Sequence, residues 1–146
     1  MSLVSRLRLG TRFVPAVSIV IVLALAALPV FAASVPLQIG SDPFTQATCA
    51  ASGATNHQAN VEPDSFSNGS TIVAAFQVGR IYDGGACAIG FSTSTDNGST
   101  WTSGLLPSLT KYTSPAGTFD RATDAAVAYD ARHNTWMVSS LVLTEA

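Results

Sequence analysis

Eight consecutive residues, Ser94-Thr95-Asp96-Asn97-Gly98-Ser99-Thr100-Trp101, constrain the fold of this chain more than any other stretch. They read as a tight hairpin. Asn97-Gly98 tolerates the positive φ angles that a short turn demands, and Gly98 has no Cβ to oppose them. The Asp96 carboxylate can accept hydrogen bonds from the amides of its own turn. Trp101 then offers a large ring to bury against neighbouring strands. Every residue type here has a structural use, so neither catalysis nor calcium binding is needed to account for Asp96.

The flanking sequence has the same character. After Val61, short runs of β-branched and aromatic residues alternate with Gly, Asn and Asp clusters, the pattern of a β-rich domain. Strands are predicted near Pro63–Phe66, Thr71–Gln77, Ala86–Thr93 and Trp101–Leu106. Asn-Gly turns at Ser67-Asn68-Gly69-Ser70 and Asp96-Asn97-Gly98 would join them into one antiparallel sheet. No 3.6-residue apolar stripe persists after residue 40, so no amphipathic helix is expected there. Residues 33–60 mix Pro, Gly, Ser, Asn and Ala without a period and read as a linker.

The opening of this unit recurs. Glu62-Pro63-Asp64-Ser65-Phe66 and Thr71-Ile72-Val73-Ala74-Ala75-Phe76 find counterparts in Asp124-Ala125-Ala126-Val127-Ala128-Tyr129 and Thr135-Trp136-Met137-Val138-Ser139-Ser140-Leu141. The offset is 62 residues at the first strand and 64 at the second. A repeat of this length suggests a modular β architecture.

The N-terminus differs from everything after it. Arg6, Arg8 and Arg12 precede an apolar run from Phe13 to Phe31, and Val30-Phe31-Ala32 resembles a small-residue cleavage site. Residues 1–32 therefore read as a secretory signal peptide; an uncleaved membrane anchor is the competing reading. Either would put the remainder outside the cytoplasm. Beyond residue 33 only Arg80, Lys111, Arg121 and Arg132 oppose nine acidic side chains. That balance argues against nucleic acid or an anionic membrane surface as partner. Membrane contact is expected only through the N-terminal segment, if it is retained.

Cys49 and Cys87 both lie in the exported part, where disulfides persist. Two cysteines allow one intrachain pairing, so a Cys49–Cys87 bond is favoured over two free thiols. His57 and His133 stand 76 residues apart with no ligand cluster around either, so no metal and no cofactor is expected. Asn68-Gly69-Ser70 and Asn97-Gly98-Ser99 match glycosylation sequons, although Asn-Gly turns already explain both.

Ser94, Asp96, Gly98, Thr100 and Trp101 fit the Asp-box pattern S-x-D-x-G-x-T-W at each fixed position. Residues 61–146 thereby resemble the sialidase superfamily of Asp-box (BNR-repeat) β-propellers. Thr71–Arg80 is similar to that family's second strand, L-A-F-A-E-x-R, with Ala75, Phe76 and Arg80 on its A, F and R. Ala88–Ser94 resembles the strand entering the box, and Asp124–Asp130 the opening of the next blade. Arg121-Ala122-Thr123-Asp124 is similar to the R-A-S-D-P stretch of secreted bacterial members. The resemblance implies an all-β propeller, here about one and a half four-stranded blades and so an N-terminal portion of a larger assembly.

It also implies chemistry. Sialidases grip the sialic-acid carboxylate with arginines, whose planar fork fits a carboxylate. They use a tyrosine nucleophile with a glutamate beside it and an early-loop aspartate as acid/base. Asp83 matches that loop aspartate, Arg80 is the candidate substrate clamp, and Arg121 and Asp124 sit at the corresponding edge of the next blade. Two departures weaken a hydrolase. Val61 stands where the family's first arginine would open its R-I-P stretch, and Val78 replaces the glutamate of A-E-x-R. The expected activity is a secreted exo-sialidase-type glycoside hydrolase acting on a glycan or glycoconjugate. The alternatives are a non-catalytic propeller that binds glycans or proteins, or an inactive fragment.

Overall fold

A computed structural model describes residues 35–51 and 53–145. The proposed signal segment, 1–32, lies outside the described residues. The described part is all-β. Its seven strands are β1 (Thr55–Asn56), β2 (Val61–Asn68), β3 (Thr71–Ile81), β4 (Ala86–Ser94), β5 (Thr102–Leu105), β6 (Arg121–Asp130) and β7 (Thr135–Leu143). No helix occurs among the described residues.

Every pairing between strands is antiparallel. β3 is the central strand, with β2 and β1 along one edge and β4 along the other. β5 continues the sheet beyond β4. The β6–β7 hairpin joins it through a single pair, Ala86 with Ala122. Each strand carries the β-branched and aromatic residues that fit a pleated surface. The β2–β3 turn is tight: Asn68 pairs with Thr71, leaving Gly69 at φ +58° and Ser70 as the loop. Glycine meets that φ without a Cβ penalty.

β3 is buried from Val73 to Gly79, because both faces of the sheet are covered. On one face Phe76, Val78, Ile81, Cys87 and Ala88 pack with Phe44 and Cys49. On the other, Val73, Ala75 and Ile89 pack with Ala122, Ala125 and Val127, flanked by Trp136, Val138 and Val142. Apolar burial at both faces is the main stabilising contribution.

The stretch read as a linker from its composition is therefore anchored to the sheet from Ile39 onward. Cys49 is bonded to Cys87, with Cα atoms 6.0 Å apart. Thr55 and Asn56 pair with Ile81 and Arg80 as β1. The Ser92 hydroxyl donates to the Ile39 carbonyl. Gly79, at φ +72°, lies beneath this arm; a Cβ there would come within 2.9 Å of the Phe44 ring and 3.3 Å of Cys49 Sγ.

The sequence repeat has a physical counterpart. The β2–β3 register breaks between Val61 and Asp64, and the β6–β7 register breaks between Thr123 and Ala126. Inside the first break Glu62 has φ +51°, and inside the second Asp124 has φ +50°. Both are β-bulges, and the positive-φ residues stand at matching places in the two units.

Candidate functional site

The Asp-box hairpin is a closed hydrogen-bond system. Ser94 Oγ donates to Asp96 Oδ1 at 2.8 Å and accepts from the Gly98 N–H at 2.8 Å. Asp96 Oδ1 also accepts from the Thr100 N–H at 2.8 Å, and Oδ2 from the Thr100 hydroxyl at 2.6 Å. The Trp101 indole N–H donates to the Gly98 carbonyl at 3.0 Å. The Thr100 hydroxyl, followed by the Thr100 amide and Ser94, holds the Asp96 carboxyl down at about 2. Its oxygens are occupied by the turn itself, which suits a structural role.

The chemistry-bearing residues gather at the other end of β4. Arg121 opens β6 and is buried, its side chain 10 % exposed. Its Nη1 reaches Asp83 Oδ1 at 2.6 Å and the Gly84 carbonyl at 2.8 Å. Its Nε donates to Glu145. Asp83 sits in the β3–β4 loop, and its side chain is 60 % exposed. That loop is fixed by hydrogen bonds from the Ile81 N–H to the Gly85 carbonyl and from the Tyr82 N–H to the Ala54 carbonyl. Asp83, Gly84, Gly85, Arg121, Thr123 and Glu145 line one open cleft, together with Leu143 and Thr144.

The Arg121 hydrogen bond is the main reason the Asp83 carboxyl lies below its ordinary range. Asp83 is thus ionised at neutral pH, fit to accept hydrogen bonds and poorly fitted to donate a proton. Behind the cleft, buried Gln77 donates to Thr123 Oγ1 at 2.9 Å and to Glu62. The acidic side chain at 62 is therefore held by the Gln77 amide.

Of the four residues singled out from the sequence, Asp83 and Arg121 meet directly. Arg80, next to last in β3, is half-buried between Asn56 and Ala86 and does not line the cleft. Asp124 is exposed in the β6 bulge and does not line it either. Asp83 pairs not with a loop neighbour but with Arg121, 38 residues along the chain. Glu145 went unnoticed in the sequence. It lies 24 residues after Arg121 and carries no motif, so only the β6–β7 hairpin brings it there.

Among the described residues no group of three or more His, Cys, Asp or Glu is arranged to hold a metal ion. No family model, no curated protein and no solved structure matches this chain.

Proposed function

We propose that the chain is part of an exported, sialidase-like β-propeller whose loop edge engages glycans. The propeller reading is supported by the bulged strand pair that recurs with Glu62 and Asp124 at the same positive φ, and by the face-to-face packing of the two units through Val73, Ile89 and Val127. Successive packed sheets are how propellers bury their faces.

The cleft around Arg121 carries the functional part. It combines a buried guanidinium, two carboxylates and the Thr123 and Thr144 hydroxyls, a set suited to sugar hydroxyl groups. The geometry favours binding over hydrolysis. Arg121 is already committed to Asp83 and Glu145, and Asp83 is held in its ionised form. A general acid needs its proton near neutral pH.

The test is binding of the full chain to sialylated and neutral oligosaccharides, with Asp83→Asn and Thr144→Val as variants. Binding that both variants weaken supports the reading. No binding to any glycan class sinks it. Release of sialic acid from a sialoside, lost in Asp83→Asn, would move the assignment to the hydrolase.

A further inference from the structure

The chain holds two Asn-Gly pairs, Asn68-Gly69 and Asn97-Gly98, each with an exposed asparagine, and their surroundings differ in a way that decides their chemistry. In such a pair the backbone nitrogen of glycine can attack the asparagine side-chain carbonyl carbon. A C–N bond forms, the side-chain amine leaves as ammonia, and a succinimide results. Water then opens the ring to aspartate or to isoaspartate, the latter adding one carbon to the main chain. The attack needs a glycine N–H that can lose its proton and move toward the side chain.

At Asn97-Gly98 that freedom is missing. The Gly98 N–H donates to Ser94 Oγ at 2.8 Å, and the Gly98 carbonyl accepts from the Trp101 indole at 3.0 Å. The Asn97 N–H donates to the Ser70 carbonyl at 2.9 Å. Gly98 is also packed, with the Ile72 and Trp101 side chains 3.7 Å from where a Cβ would stand. At Asn68-Gly69 the opposite holds. Among the described residues the Gly69 N–H has no hydrogen-bond acceptor. Nothing lies within 4 Å of a Cβ built there.

We infer that Asn68 is a site of spontaneous deamidation and isoaspartate formation, and that the Asp-box protects Asn97 from the same reaction. Asn68 leads through Gly69 to Ser70, whose carbonyl holds Asn97. Main-chain lengthening at Asn68 therefore reaches the Asp-box hairpin directly.

The two sites are separable by experiment. After reduction, trypsin cleavage at Arg80 and Lys111 puts Asn68 and Asn97 on different peptides. The full chain is incubated in mildly alkaline buffer, and amide-to-acid conversion is followed by peptide mass and isoaspartate methylation. Conversion at Asn68 is expected to outrun that at Asn97 severalfold in the folded protein. The two rates should converge in denaturant under reducing conditions. Ser94→Ala, which frees the Gly98 N–H, should raise the Asn97 rate. Equal rates in the folded chain, or a faster Asn97, overturn the inference. A rate difference that survives denaturation also overturns it, because local sequence would then be the cause.

Discussion

The Asp64 carboxylate on β2 accepts a hydrogen bond from the Val127 N–H on β6 at 2.7 Å. It ties the two bulged strands together across 63 residues of chain. Val127 pairs with Val138 of β7 just past the register break between Thr123 and Ala126, and its amide is served by a side chain of the neighbouring unit. A part-buried N–H without an acceptor costs free energy.

Asp64→Ala should therefore lower stability by about 1–3 kcal/mol, the cost of an unsatisfied buried donor. Asp64→Asn keeps an acceptor oxygen and should lose less. Denaturant midpoints for the two variants check the ordering.

The Asp96 carboxyl sets an acid limit. Its folded value is about 2, against an ordinary 3.8. A depressed carboxylate contributes stability that is fully present above its unfolded pKa and is lost as pH falls through the folded one. Stability should decline between about pH 4 and pH 2, and Asp96→Asn should flatten that part of the profile. Thermal unfolding across the acid range is the measurement.

The Cys49–Cys87 bond closes a separation of 38 residues and fastens the N-terminal arm to β4. Replacing both cysteines with alanine should cost about 2–4 kcal/mol, mainly through the freed unfolded chain. Chemical denaturation of the variant beside the oxidised wild type tests it.

Gly79 should resist substitution. With φ at +72° and the Phe44 ring 2.9 Å from a built Cβ, Gly79→Ala meets both backbone and packing strain. The left-handed conformation alone costs about 1–2 kcal/mol. An unchanged unfolding midpoint would mean that the arm is not seated on β3.

Arg121→Met should let the Asp83 carboxyl rise toward its ordinary value, because the guanidinium is what holds it down. Side-chain carboxyl titration by NMR reads the shift directly. An unmoved Asp83 would mean that the 2.6 Å pair does not persist in solution.

Local chemistry made the strands after Val61, both Asn-Gly turns and the all-β class legible in the sequence. Alternating β-branched runs and Asn-Gly pairs act over a few residues, so they can be read without knowing what packs on them. The bulges were visible only as a repeat in sequence; nothing in Glu62 or Asp124 announces a positive φ. The arm at residues 37–60 looked like a linker because its composition is polar. What anchors it is the Phe44 ring, one disulfide, a two-residue strand and the Ser92 hydroxyl on the Ile39 carbonyl. The cleft was the least legible part. Arg121, Asp83 and Glu145 are far apart in sequence, and their meeting depends on how β3, β4, β6 and β7 pair. By itself the sequence determined that the segments after Val61 become strands and where their tight turns fall, and it left β1 unread. Only the tertiary structure decided which charges meet, because long-range pairing brings the ends of separate strands to one edge and takes Arg121 out of water.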